Sequence, residues 1–301
     1  MSKNRHHISV CLCTYKRPDL LKRLLKALSA QETGRAFTYS IVIVDNDEAR
    51  SAEPAVLAFA AGSPVPVTYW VEPQQSIARA RNKAVANAGG DFLAFVDDDE
   101  FPVKNWLLIL YKTCVDYKVD GVLGPVLRQF DEEPPRWIEK SRFYTRTINA
   151  TGSPVQWQEA RTGNVLVRKN ILAEGEQPFR PQFRAGEDQD FFRRKIEQGN
   201  VFIWSASAIV YEVVPPGRWK RIYMLRKALL RGASARLQPS CDGWSIAKSL
   251  IAVPIYALAL PAALLLGQHR FMTLLVKICD HLGKLLALVG INPVKEQYIT
   301  E

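Results

Sequence analysis

Several common catalytic signatures are absent from this sequence of 301 residues. It contains no G-x-S-x-G nucleophile elbow, and it has neither a P-loop nor a G-x-G-x-x-G dinucleotide motif. Its four histidines lie near the two ends of the chain, at His6, His7, His269 and His281. The sequence therefore gives no support to Ser-His hydrolysis, P-loop phosphoryl transfer, hydride transfer or histidine-based metal chemistry.

Cysteine is scarce as well, with five residues and no C-x-x-C pair or disulfide-like spacing. The first seven residues are polar and lack the apolar segment of a secretory signal peptide. We therefore expect reduced thiols in a domain that faces the cytoplasm.

The composition is typical of a globular chain, with 48% hydrophobic and 23% charged residues. The formal net charge is +10, which favours acidic or anionic partners. Much of this charge is local, because residues 213–241 contain seven Lys or Arg and no Asp or Glu.

Short apolar runs alternate with helical patterns over the first two thirds of the chain. Residues 8–14, 40–45 and 91–96 are nearly continuous apolar runs, typical of central parallel strands. Residues 76–88 and 102–117 have helical periodicity. This alternation predicts an α/β domain with a mostly parallel, Rossmann-like sheet that binds ligands at the carboxyl ends of its strands. Other patterns predict strands at 164–168 and 201–211, a helix at 188–198 and a long loop over the active site at 125–160.

The chain changes character after Pro215. Residues 218–231 predict a basic amphipathic helix, and Ser249–Leu266 follows with 18 residues and no charge, near the lower end of a membrane-spanning length of roughly 17–25 residues. A buried helix of a soluble protein is the alternative, but the preceding cations favour an inner-membrane segment with the catalytic domain on the cytoplasmic side. Residues 271–289 fit either a second span or an interfacial helix. The expected domains are a catalytic domain at 1–215, a basic juxtamembrane helix at 216–248 and membrane-associated helices at 249–301.

One group of carboxylates follows a predicted buried strand, at Asp97, Asp98, Asp99 and Glu100. Converging carboxylates repel one another unless a cation lies among them, and oxygen ligands of this kind select Mg²⁺ or Mn²⁺. The alternative is an acidic turn in which Asp99 or Glu100 caps a helix that Pro102 opens.

Two further groups are candidates for binding and catalysis. Glu187 and Asp188 precede a helical pattern and fit a general base aimed into the cleft, although Asp188 could simply cap that helix. Arg79, Arg81 and Asn82 lie near the start of another predicted helix. They are candidate contacts for phosphate or nucleotide, with a solvated helix face as the alternative.

Six motifs occur in a fixed order and spacing that resemble the family-2 glycosyltransferases of the GT-A fold, over residues 8–212. The segment Val10–Pro18 is most similar to the exopolysaccharide and succinoglycan biosynthesis branch of that family. The motifs are Thr14-Tyr15-Lys16-Arg17-Pro18, Ile43-Val44-Asp45-Asn46, Ala78-Arg79-Ala80-Arg81-Asn82, Phe95-Val96-Asp97-Asp98-Asp99, Gly163-Asn164 and Gly186-Glu187-Asp188.

The resemblance implies a role for each matching position. Asp188, next to Glu187, is implied to be the catalytic base, and Gly163 and Asn164 are implied to face the acceptor. Glu212 is implied to lie near the metal with Asp99, although many relatives carry histidine at the position of Glu212. The implied donor-binding residues are Thr14, Tyr15, Arg17, Asp45, Arg81, Asp97 and Asp98.

The implied activity is the inverting, Mn²⁺- or Mg²⁺-dependent transfer of one sugar from a nucleotide-sugar, expected to be a UDP-sugar, to a lipid-linked saccharide. Processive relatives carry Gln-x-x-Arg-Trp, whereas Pro215 stands at the glutamine position before Arg218-Trp219. The basic helix could hold the cleft beside a lipid diphosphate or could only orient the membrane segment. A nucleotidyltransferase and an inactive, membrane-bound binding subunit of a polysaccharide assembly complex remain alternatives. Nucleic acid is not expected as a partner, because the cations cluster beside an apolar segment.

Overall fold

The computed structural model describes residues 5–145, 147–173, 175–239 and 241–294. They form two compact units, and each unit is built from three separate segments of the chain. The first unit comprises Met1–Leu127, Arg146–Pro181 and Glu187–Val213, and the second comprises Arg128–Thr145, Gln182–Gly186 and Val214–Glu301.

The first unit is built on a seven-stranded sheet. Its order is β3-β2-β1-β4-β8-β6-β9, and four of its pairings are parallel: β1 with β2, β1 with β4, β2 with β3 and β6 with β9. Strand β8 runs antiparallel to β4 and β6. A second, three-stranded sheet has the order β5-β10-β7. The strands are β1 His6–Thr14, β2 Phe37–Asp45, β3 Val67–Val71, β4 Phe92–Val96, β5 Glu100–Pro102, β6 Gly121–Leu123, β7 Val126–Gln129, β8 Asn164–Arg168, β9 Phe202–Trp204 and β10 Val210–Val213.

Helices cover both faces of the large sheet, which confirms the predicted α/β architecture. Successive strand residues alternate between the two faces, so Ile8, Val10 and Leu12 join one buried cluster whereas Cys11 and Val44 join the other. Burial on both faces explains why the central strands are continuous apolar runs. The helices are α1 Pro18–Ser29, α2 Glu53–Ala60, α3 Ile77–Ala86, α4 Trp106–Asp116, α5 Arg136–Glu139, α6 Glu187–Glu197, α7 Arg221–Ala235, α8 Gly243–Leu265 and α9 Gln268–Leu288.

Three sequence predictions about local structure differ from the structure. Pro102 does not open a helix, because it ends β5 and pairs with Val210 of β10. Helix α4 begins four residues later, so neither Asp99 nor Glu100 caps it. The predicted strand at 201–211 is two strands in different sheets, and the predicted loop at 125–160 contains β7 and α5.

The second unit is dominated by three helices, and α9 packs against both α7 and α8. Asp242 caps α8 by accepting a hydrogen bond from the Ser245 backbone N–H at 2.8 Å. Among the described residues, α8 is the one helix whose length and hydropathy would allow it to cross a membrane.

Candidate active site

The ends of two adjacent parallel strands bring the first and fourth motifs together. Strands β1 and β4 are neighbours, and Thr14 and Asp97 lie at their carboxyl ends. The Thr14 hydroxyl donates to Asp98 Oδ2 at 2.8 Å. Arg17 Nη1 lies 3.2 Å from Asp98 Oδ1 and 3.3 Å from Asp99 Oδ2. One guanidinium thus bridges two consecutive carboxylates.

Glu100 holds the acidic turn in shape. Its Oε2 accepts a hydrogen bond from the backbone N–H of Asp97 at 3.0 Å. Gly163 lies directly against this side chain, since a Cβ at Gly163 would stand 2.5 Å from Glu100 Oε1. Gly163 therefore occupies a position where a side chain would displace Glu100, directly before the strand that pairs with β4.

The Asn164 side chain is buried and links three segments of the first unit. Its Oδ1 accepts from Trp106 Nε1 at 2.8 Å, and its Nδ2 donates to the carbonyls of Pro125 at 2.9 Å and Ala208 at 2.7 Å. Both amide protons are used in these bonds, which gives the side chain a structural role. Contact of Gly163 and Asn164 with an acceptor stays a prediction.

Arg81 lies between two of the motifs. It belongs to α3 and is buried, with Nη2 3.1 Å from Asp97 Oδ1 and Nη1 paired with Glu187. The other two polar residues of the motif, Arg79 and Asn82, lie in different environments. Arg79 is exposed, whereas the Asn82 amide exchanges two hydrogen bonds with the Phe179 backbone, at 2.7 and 2.9 Å. Arg81 is thus ion-paired with carboxylates of the protein itself. Its contact with a nucleotide stays a prediction.

Glu187 and Asp188 occupy the first turn of α6, where the helix dipole favours negative charge. Glu187 is buried, whereas Asp188 is partly exposed and accepts a hydrogen bond from the Gln189 N–H at 2.7 Å. Asp188 is therefore the member of the pair that a substrate can reach.

Burial and mutual repulsion raise the proton affinity of these carboxylates. The pKa of Asp98 is raised to about 6, mainly by burial and also by Asp99, against the opposing effect of Arg17. The pKa of Glu187 is raised to about 7, again mainly by burial, with Arg81 opposing and Asp188 adding to the shift. Both carboxyls thus bind a proton more readily than they would in water.

The donor set suits a hard divalent cation that is shared with phosphate. Within the described ranges, no three His, Cys, Asp or Glu side chains converge as a metal cage. Magnesium, however, is commonly bound by one or two carboxylates together with substrate phosphates. Glu212 lies opposite Glu100 in the β5–β10 pair, and the Val213 N–H donates to the Asp99 carbonyl at 3.0 Å. The predicted metal ligands Asp99 and Glu212 therefore lie on adjoining segments.

Asp45 has a different environment from the other predicted donor contacts. Its side chain is fully buried and accepts from the Ala52 N–H at 2.8 Å, the Asp47 N–H at 3.1 Å and the Tyr69 hydroxyl at 3.0 Å. Burial raises the pKa of Asp45. These bonds organise the turn after β2, and contact with a nucleotide base stays a prediction.

Tyr15 is partly exposed beside Lys16, whose ammonium lies 5.1 Å from the Tyr15 ring centre.

Sequence reasoning missed two residues that support this site. Tyr69 was missed because β3 is short and half-exposed, although the alternating segment Val67–Val71 carries a recognisable strand signal. The role of Glu100 was missed because nothing in the sequence distinguishes it from the preceding aspartates.

Comparison with known proteins assigns the chain to one protein family. Residues 9–174 match the family model described as Glycosyl transferase family 2. The chain is 30% identical over 308 residues to the succinoglycan biosynthesis protein ExoM of Rhizobium meliloti (strain 1021), covering 97% of this chain and 96% of that protein. It is 24% identical over 200 residues to the glycosyltransferase AglE of Haloferax volcanii, covering 66% and 64%.

Solved structures with similar folds confirm the GT-A architecture. The mannosyltransferase PcManGT from Pyrobaculum calidifontis, in complex with GDP-Man and Mn²⁺, superposes with a TM-score of 0.65 at 18% identity, covering 94% of this chain and 88% of that one. Residues 1–349 of S. aureus TarS in complex with UDP superpose with a TM-score of 0.56 at 16% identity, covering 94% and 92%.

Proposed function

Because the chain belongs to glycosyl transferase family 2 and is a glycosyltransferase, we propose that it transfers a single sugar, with inversion, from a UDP-sugar to a lipid-linked saccharide. The proposed setting is exopolysaccharide synthesis, by similarity to the succinoglycan biosynthesis protein. The observation that carries the mechanism is the partly exposed Asp188 beside an ion-paired group of buried carboxylates.

The donor is proposed to bind at the carboxyl ends of β1 and β4. There the Asp97 side chain is 45% exposed and that of Arg17 is 29% exposed, so a ligand can reach both. A carboxylate accepts hydrogen bonds from hydroxyls, and a guanidinium binds phosphate oxygens. Asp97 would therefore meet the ribose and Arg17 the diphosphate, while Arg81 keeps Asp97 in position.

Asp99 and Glu212 are the residues that would hold Mn²⁺ or Mg²⁺. When bound, the ion offsets negative charge on the departing diphosphate as a Lewis acid. Support for a divalent ion comes from the oxygen donors and from the number of carboxyl groups in the site, which exceeds that of the guanidiniums of Arg17 and Arg81. The fold neighbour in complex with Mn²⁺ adds to this support.

Asp188 is proposed to accept the proton of the acceptor hydroxyl while that oxygen attacks the anomeric carbon of the sugar and the bond from that carbon to the departing nucleoside diphosphate breaks. Direct attack inverts the configuration at that carbon and requires no covalent enzyme intermediate. The buried Glu187 pairs with Arg81 and so ties the start of α6 to α3. Glu187 is thus a positioning residue, and Asp188 is the base.

The second unit supports placement of the enzyme at a membrane. Its helix α8 is long and apolar, with a mean hydropathy of 1.8, and cations precede it along the chain. We place the enzyme at the inner membrane with the catalytic unit facing the cytoplasm, following the bias of positive charge toward that side. Pro215, where processive relatives carry glutamine, supports addition of a single sugar.

The test is release of nucleoside diphosphate by the purified enzyme. A panel of UDP-, GDP- and dTDP-sugars is supplied with Mn²⁺ or Mg²⁺ and a lipid-diphosphate saccharide acceptor. We expect metal-dependent release from a UDP-sugar, with one sugar added to each acceptor and its anomeric configuration inverted. Formation of a nucleoside triphosphate and a sugar 1-phosphate when inorganic diphosphate is added to the same panel would instead indicate a nucleotidyltransferase. Donor binding without turnover on any acceptor would favour an inactive binding subunit.

A further inference from the structure

Helix α8 presents a long apolar face to solvent. Trp244, Leu258 and Leu265 are 74%, 83% and 90% exposed, and further large apolar residues lie on the same helix. An exposed apolar surface of this extent marks a site of interaction with an apolar partner. The other exposed residues of this kind on α8 are Leu250, Ile251, Ile255 and Leu264.

The length of α8 alone would permit a membrane span. Its 23 residues extend about 34 Å at a rise of 1.5 Å per residue, and the hydrocarbon core of a bilayer is about 30 Å thick. The packing partners of α8 therefore decide whether it crosses the bilayer.

The opposite face of α8 forms a polar seam with α9. Ser245 Oγ accepts from Lys284 Nζ at 2.8 Å, and Ser249 Oγ lies 3.0 Å from His281 Nδ1. Further along, the ammonium of Lys277 lies 5.6 Å from the ring centre of Tyr256, near the middle of α8. Helix α9 therefore runs antiparallel along α8 and places charged groups beside its central turns.

Helix α9 is in turn joined closely to the basic helix α7. Gly232 and Gly283 lie where the two backbones touch, since a Cβ on Gly232 would collide with the Asp280 carbonyl and one on Gly283 with that of Leu229. Across the same contact, Arg231 makes two hydrogen bonds to the Asp280 carboxylate, at 2.6 and 2.8 Å.

The contact between α7 and α9 extends over the whole of α7. The Arg221 guanidinium meets the Gln268 side chain at the start of both helices, and Arg236 Nη1 donates to the Ala287 carbonyl at 2.9 Å near their ends. If α8 crossed a bilayer, α9 and α7 would cross with it. Arg231 and the other cations of α7 would then lie at hydrocarbon depth, which is costly for charged side chains.

We propose that α7, α8 and α9 form a monotopic anchor, which lies in the plane of one leaflet with the apolar face of α8 immersed and does not cross the bilayer. Residues 214–294 contain eleven Lys or Arg and two Asp or Glu, which matches a leaflet of anionic headgroups. Trp244 and Lys248 at the start of α8 suit the interfacial layer. The inference rests on the membrane placement proposed above and is independent of sugar transfer.

The first test locates the turn between α8 and α9. Arg270→Cys and, as a reference on the catalytic unit, Gly62→Cys are made with the five native cysteines replaced by alanine. Both positions are exposed. A membrane-impermeant maleimide is added to spheroplasts and to inverted vesicles, which expose opposite faces. We expect Arg270→Cys to react from the same side as Gly62→Cys. Reaction from the opposite side, or reaction only after detergent is added, would overturn the proposal.

The second test needs no cysteine replacement and measures flotation with vesicles of phosphatidylethanolamine and phosphatidylglycerol. Leu258→Glu combined with Leu265→Glu should lower the bound fraction by about tenfold or more, because two immersed leucines are lost. Leu57→Glu, at an apolar residue of α2 that is 61% exposed, should bind as the wild type does.

Flotation of the double variant equal to that of the wild type would contradict the anchor. Failure of the wild type to float with vesicles, together with dimer formation through α8, would contradict it as well. Nucleoside diphosphate release, measured in detergent, should persist in both variants.

Discussion

Arg81 and Glu187, 106 positions apart in the chain, form an ion pair in which both side chains are buried. Arg81 belongs to α3 and Glu187 to the first turn of α6. The same guanidinium reaches Asp97 at 3.1 Å. One buried cation therefore orients carboxyl groups that lie on two different segments of the proposed site.

Replacement of Arg81 with methionine should destabilise the protein by about 3–5 kcal/mol, because Glu187 would remain buried without its partner. Combining Arg81→Met with Glu187→Leu should recover much of this loss, since no buried charge is then left unpaired. Denaturant unfolding of the wild type, both single variants and the double variant gives the coupling energy. Strictly additive effects would show that the two side chains are not energetically coupled.

Asp188→Asn should lower kcat by about 10²–10⁴, the usual contribution of a positioned general base. Affinity for the donor should change little, because this carboxylate is assigned to the acceptor hydroxyl. Asp116→Asn, an exposed carboxylate at the end of α4, is the matched control. Turnover at the wild-type level in Asp188→Asn would remove Asp188 from the mechanism.

Stability should fall as the pH rises through the pKa of Asp98. The native pKa, about 6, is above the ordinary value of 3.8, so protonation favours the folded state. This contribution is fully present below 3.8 and is lost as the pH rises through about 6. In EDTA, the difference in unfolding free energy between the wild type and Asp98→Asn should change across this interval. Parallel curves for the two proteins would contradict the shift.

Gly163→Ala should impair donor binding and turnover through Glu100. The added Cβ would lie 2.5 Å from Glu100 Oε1, so the carboxylate must move and release the Asp97 N–H. Loss of a hydrogen bond to a buried group costs about 1–3 kcal/mol. Gly62→Ala, where a Cβ meets nothing within 4 Å, is the control. Kinetics and donor affinity that match those of the control would show that Glu100 does not position Asp97.

Asp99→Ala should abolish the dependence of donor affinity on metal. In the wild type, Mn²⁺ should tighten UDP-sugar binding, because Asp99 would hold an ion that offsets the charge of the diphosphate. Calorimetric titrations with Mn²⁺ and with EDTA measure this difference. A metal-dependent gain that survives intact in Asp99→Ala would assign the ion to other ligands.

Much of the architecture could be predicted from sequence patterns. Continuous apolar runs predicted β1, β2 and β4, and helical periodicity at 76–88 and 102–117 predicted α3 and α4, because burial on one or both faces leaves a regular signature. The half-exposed strand β3 and the short strands β5 to β7 were missed. Their residues alternate or are too few, and their pairing depends on distant partners.

Sequence patterns were sufficient to establish the order of the six motifs, the oxygen-rich chemistry of the site and the apolar character of α8. Which charged side chains meet depends on the tertiary fold. Arg17 faces Asp98 and Arg81 faces Glu187 because strand ends and helix starts converge. The fold also buries the side chains of Asp45 and Asn164, which form hydrogen bonds within the protein. Helix α9 packs against both α8 and the basic helix α7. Such pairings depend on distances between remote segments, which no local pattern encodes.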